Sequence, residues 1–100
     1  MAYCLVWSFE VAPQHRPEFE RIYAGDGDWA KLFAQGDGFL GTELLTDAET
    51  PGRYVTVDRW RTADDFAAFK RERAESYGAL DVECEDLTAV ETRLGAFTCP

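Results

Sequence analysis

Apolar residues in this chain change spacing twice, from every second position to every third or fourth and back again, and no other feature limits the possible folds as strongly. Residues 3–11, Tyr-Cys-Leu-Val-Trp-Ser-Phe-Glu-Val, put Tyr3, Leu5, Trp7, Phe9 and Val11 on one face and Cys4, Val6, Ser8 and Glu10 on the other, which predicts a strand. Pro13 ends it. Pro17 suits the first turn of a helix with Glu18 and Glu20 near its positive end, and Phe19, Ile22 and Tyr23 make its apolar stripe. Gly25-Asp26-Gly27 stops that helix, and Asp28 is expected to cap a second short one, Trp29 to Gln35. Residues 39–46 and 53–60 read as strands joined by a polar loop containing Pro51-Gly52, so they should pair antiparallel. Thr62 followed by Asp64 and Asp65 is a helix start. From there Phe66, Phe69, Arg73, Tyr77, Leu80, Cys84 and Leu87 recur at steps of three or four, predicting one helical face from 63 to about 86, broken at Gly78. Residues 88–98 alternate as a closing strand.

The order β-α-β-β-α-β predicts an α+β, ferredoxin-like domain spanning 1–100, with a four-stranded antiparallel sheet and helices on one face. The other face should also be partly apolar, through Cys4, Val6, Val55 and Val57. A domain of 100 residues leaves much of its surface in water, so 14 aromatic side chains require a core, a ligand pocket or a partner subunit. A homodimer through the uncovered sheet face is the expectation.

Charge and punctuation exclude several functions. A formal net charge of -9 repels phosphate backbones and anionic lipid surfaces, so nucleic acid and membrane surfaces are poor partners. There is no apolar run of membrane-spanning length and no basic-then-apolar leader, which predicts a cytoplasmic protein. Cys4, Cys84 and Cys99 are odd in number and widely spaced, as expected of free thiols in a reducing compartment. Gly36-Asp37-Gly38-Phe39-Leu40-Gly41 matches the letters of a dinucleotide-binding loop. A helix precedes it and a strand follows, the reverse of what phosphate binding needs, so it reads as a helix stop and turn. Asp26-Gly27-Asp28 lacks a third oxygen ligand at Ala30, and His15 has no partner implied by spacing, so no metal site is expected.

The informative constellation is Trp60 at the end of the third strand, followed by the helix start carrying Phe66 and Phe69. These rings are either plain core or, together with Tyr77, Trp7 and Trp29, the wall of a ligand pocket.

Gly38-Phe39-Leu40-Gly41-Thr42, Tyr54-Val55-Thr56-Val57-Asp58-Arg59-Trp60 and Thr62-Ala63-Asp64-Asp65-Phe66 resemble the antibiotic biosynthesis monooxygenase family of the dimeric α+β barrel superfamily. The resemblance implies a ferredoxin-like subunit pairing through its sheet, with a pocket in each copy. It further implies cofactor-independent oxidation of an aromatic or polyketide-like metabolite. In the polyketide-oxidising members a strand Asn lies four residues before the Trp and a Tyr six after it; Thr56 and Phe66 stand there in this chain. In the haem-degrading members a helix His binds iron, and Ser76-Tyr77-Gly78-Ala79-Leu80 offers none, which argues against haem. On the oxygenase reading Trp60, Asp58, Tyr77 and Thr56 are the catalytic residues, Asp58 being the base, and Trp7, Trp29, Phe66 and Phe69 line the pocket. A non-catalytic binding or assembly module, and a polyketide cyclase or isomerase, are the alternatives at this stage.

Overall fold

The computed structural model describes residues 2–100. Their order is β1 (Tyr3–Glu10), a 3-10 turn (Pro13–His15), α1 (Arg16–Tyr23), α2 (Asp28–Phe33), β2 (Phe39–Thr46) and β3 (Arg53–Trp60), followed by α3 (Ala63–Glu72), α4 (Ala74–Cys84), a second 3-10 turn (Glu85–Leu87) and β4 (Val90–Thr98). The strands form one antiparallel sheet in the order β2-β3-β1-β4. This is the ferredoxin-like α+β arrangement anticipated from the two changes of period.

Register decides which side chains meet. Tyr3 pairs with Trp60, Leu5 with Asp58, Trp7 with Thr56 and Phe9 with Tyr54, so these eight residues share one face. Across the hairpin, Thr42 stands opposite Asp58 and Leu44 opposite Thr56. On the other edge β4 brings Glu91 opposite Phe9 and Arg93 opposite Trp7, before the register shifts between Val6 and Trp7. The helices cover this face. Phe19, buried completely, stacks on Tyr23 at 4.1 Å and packs against Phe9 and Tyr54 at 5.3 and 4.8 Å.

Two local expectations are corrected. Asp28 does not cap α2: it is the first helical residue, the cap position is Gly27, and the Asp28 carboxylate lies 3.6 Å from Arg21 instead. Glycine is required at 27 because a Cβ there would sit 2.4 Å from the Ile22 carbonyl oxygen and 2.5 Å from that of Arg21. The helical segment after Thr62 breaks at Arg73, whose φ of -118° and ψ of 25° separate α3 from α4, and Gly78 lies inside α4. Gly78 faces open space, so its helix penalty of roughly 1 kcal/mol is tolerated. The break at Arg73 lets the two halves dock separately, Phe69 against Trp60 and Tyr77 against Trp29.

The Thr62 cap forms as anticipated, its Oγ1 accepting the Asp65 backbone N–H at 3.1 Å. Thr62→Ala should lower the unfolding free energy by about 1 kcal/mol. Phe19→Ala should lower it by about 3–5 kcal/mol, the cost of removing a fully buried ring that packs α1 on Phe9 and Tyr54 of the sheet. Urea denaturation of both variants measures the difference.

Candidate functional site

On its helix-facing side β3 reads Tyr54, Thr56, Asp58, Trp60, with a large ring at each end and two short polar side chains between. The rings hold the helices away from the sheet and the short residues leave the space unfilled. A cavity of about 310 Å³ opens there, over Thr56 and Asp58, with Trp7, Trp29, Phe33 and Tyr77 as aromatic walls. A second cavity of about 300 Å³ adjoins it and shares Trp7, Phe33, Asp58, Lys70 and Tyr77. The shared residues make the two cavities lobes of one site.

Asp58 stands between the lobes. Burial pushes its carboxyl up to about 6, while the Thr42 hydroxyl, donating to Oδ1 at 2.7 Å, pulls in the opposite direction. Thr56 is buried on the adjoining position of the same face. Burial also raises the Tyr77 phenol, and the negative charges of Asp81, Asp58 and Glu91 raise it further, so at neutral pH it remains a hydrogen-bond donor. Glu91 is raised by burial and by Asp81. Lys70 Nζ lies 4.9 Å from the Tyr77 ring centre and 5.7 Å from that of Phe66. This combination can stack a planar ligand, accept a proton at Asp58 and donate hydrogen bonds to a ligand oxygen.

Asp58, Thr56, Tyr77, Trp7 and Trp29 therefore converge, and Phe66 borders the second lobe. Trp60 and Phe69 do not border either one. Trp60 is 0% exposed, enclosed by Phe33, Phe39, Phe66 and Phe69 with ring centres 5.2–5.8 Å away, and its indole N–H has no partner among the described residues. The expected pocket wall is thus the layer in front of Trp60, chiefly Phe33. Gly36 permits that packing, since a Cβ there would meet Phe69 at 2.8 Å and Trp60 at 3.0 Å. Thr42, Phe33, Lys70, Asp81, Glu91 and Arg93 escaped the sequence reading. Thr42 was not accessible to it, because strands ending at 46 and 53 would set it opposite Val57, whereas the observed register pairs Thr46 with Tyr54 and so Thr42 with Asp58; the others come together through the packing of α3 and α4 over the sheet.

Among the described residues no three His, Cys, Asp or Glu side chains gather as a metal site, and no helix is long and apolar enough to cross a membrane.

Residues 2–74 match the family model described as antibiotic biosynthesis monooxygenase. Among solved structures, a variant of SnoaB, a cofactor-independent oxygenase from Streptomyces nogalater, aligns with a TM-score of 0.80 at 23% identity, covering 98% of this chain and 92% of that one. A candidate antibiotic biosynthesis monooxygenase from Bordetella bronchiseptica aligns with a TM-score of 0.78 at 22% identity, covering 99% and 97%. Another from Deinococcus radiodurans gives 0.76 at 14% identity, covering 100% and 93%. At these identities the structural likeness establishes the shared fold. No curated protein matches the chain.

The raised Asp58 carboxyl makes stability depend on pH with a definite sign. Between the ordinary carboxylate range and pH 6 the folded chain binds more protons at this position than the unfolded chain, so the Asp58 contribution to stability falls as pH rises and is lost above about 6. Asp58→Asn should be more stable than the parent at pH 8 and lose that advantage near pH 4, as read by thermal denaturation at both. Thr42→Val should move the Asp58 titration upward, because the lost hydrogen bond favoured the ionised form; carboxyl NMR titration measures it.

Proposed function

The chain belongs to the antibiotic biosynthesis monooxygenase family, and from that premise we propose that it oxidises a small aromatic or polyketide-like metabolite with molecular oxygen and no cofactor. The observation that carries this reading is the placement of the half-buried Asp58 carboxyl, hydrogen-bonded to Thr42, inside an aromatic-walled cavity whose burial pushes it up to about 6. A base tuned to that range accepts a proton from an activated C–H or phenol at neutral pH. The description of SnoaB as a cofactor-independent oxygenase supports the absence of a cofactor.

For an anthrone-type substrate, Asp58 takes one proton from the CH2 carbon. The carbanion passes an electron to oxygen, and the two radicals join as a carbon-bound peroxide. Loss of water then leaves a carbonyl, so CH2 and O2 become C=O and H2O. Trp7 and Trp29 hold the ring system, while Thr56 and Tyr77 hydrogen-bond the oxygen that gains negative charge. Thr56 occupies the position where the polyketide-oxidising relatives carry an amide, and Asp58, two residues along on the same face, supplies the proton acceptor. Trp60 and Phe69 act from behind, fixing Phe33 against the cavity.

The same reading seats a second copy of the chain on the outer sheet face. Val6, Val55 and Val57 lie half-buried there, and Leu45 and Phe97 are exposed without cover. A small dimeric enzyme of the cytoplasm is the result.

An oxygen electrode with a panel of anthrones tests the activity. Asp58→Asn should reduce kcat/KM by about 100-fold or more. The parent rate should rise with pH through about 6 as Asp58 ionises. Turnover without oxygen consumption would overturn the oxygenase reading in favour of a cyclase or isomerase. Light scattering should report twice the mass of one chain, and Val57→Glu should halve it; a monomeric parent would overturn the sheet-to-sheet pairing.

A further inference from the structure

The two lobes differ in charge. Asp81 and Glu91 border the first lobe and not the second; Arg93 borders the second and not the first; Lys70 and Asp58 border both, so the first lobe has three carboxylates against one cation and the second has one carboxylate against two cations. The asymmetry has a simple origin in the sheet. Glu91 and Arg93 are two residues apart on β4, opposite Phe9 and Trp7, so both point to the helix side but reach different lobes.

Neither cation has a carboxylate partner. Among the described residues, carboxylates engage Arg21, Arg53, Arg59 and Arg61; Lys70 and Arg93, like Arg16, Lys31, Arg71 and Arg73, take part in no ion pair, and of these six only Lys70 and Arg93 border the lobes. Lys70 instead lies over the rings of Phe66 and Tyr77, poised at the edge of the second lobe. On a chain of net charge -9 the general field disfavours an anionic ligand. Two unpaired cations at one mouth offset that field locally, and a neutral aromatic ligand has no use for them.

We propose that the second lobe is an anion-binding subsite and that the metabolite is an aromatic carboxylate. Its carboxylate is held by Lys70 and Arg93, and its ring system lies between Trp7 and Tyr77, extending into the first lobe. Each lobe is at the lower end of the range for small-molecule sites, roughly 300–1,000 Å³, so a fused ring with a short substituent spans both. Asp81 and Glu91 repel a carboxylate from the first lobe, which leaves one orientation, with the reacting part of the ring beside Asp58. This assignment rests on the oxygenase reading for what happens at Asp58, and on the cavity alone for binding.

The experiment uses a matched pair of probes, 1-hydroxy-2-naphthoate and 1-naphthol, which share the ring and hydroxyl and differ in the carboxylate. Isothermal titration at pH 7.5 gives the ratio of their affinities. The carboxylate should bind roughly tenfold more tightly, the worth of charge-assisted hydrogen bonds from partly solvated cations. Arg93→Gln and Lys70→Gln should each cut the ratio about threefold, Arg93→Glu should invert it, and Lys70→Arg should retain it. Because the ratio is read, a packing defect that weakens both probes equally leaves it unmoved. A parent ratio near one, a ratio unchanged in both glutamine variants, or no binding of either probe overturns the subsite. Failure of the oxygenase reading registers elsewhere, as absent oxygen uptake while the ratio stands.

Discussion

Everything at the site depends on the volume that the middle of β3 leaves unfilled. Tyr54 and Trp60 are large and buried, and with the rings of α1, α2 and α3 they set how near the helices come to the sheet. Thr56 and Asp58 between them are too short to reach across that spacing. Protein interiors pack to crystal-like density, so a gap of this size survives only where rigid flanking groups prevent collapse. Interlocked rings from Phe9 and Phe19 at one end to Trp60 and Phe66 at the other supply that rigidity.

The same gap sets the electrostatics. A carboxyl on an open strand would titrate as an ordinary aspartate, but Asp58 loses most of its water under α3 and α4 and moves toward neutrality. Thr42 returns one hydrogen bond, enough to hold the carboxyl in a single orientation while leaving Oδ2 for a ligand. The arrangement costs stability at neutral pH, because the ionised carboxyl is poorly hydrated there.

Much of the fold was legible in the residues. The four strands, the hairpin between β2 and β3 and the Thr62 cap follow from local spacing and local hydrogen bonding, which need no knowledge of distant contacts. The break at Arg73 was not legible. Glycine marks the weakest helical position by propensity, but the break lies where two docking surfaces, Trp60 for Phe69 and Trp29 for Tyr77, demand different directions. Asp28 misled for a similar reason: backbone crowding against Ile22 and Arg21 reserved the cap position for Gly27.

The site divides in the same way. Alternation along β3 by itself determined that Thr56 and Asp58 share a face with Tyr54 and Trp60, because successive side chains of a strand must point to opposite sides. Motif and composition identified the family and the wealth of aromatic residues. Only the tertiary structure decided that Trp60 is sealed behind Phe33 and that Lys70, Asp81, Glu91 and Arg93 gather around one cavity, with opposite charges at its two lobes. Those residues lie on α3, α4 and β4, and the angle at which helices cross a sheet is fixed by packing over the whole face, which no local period encodes.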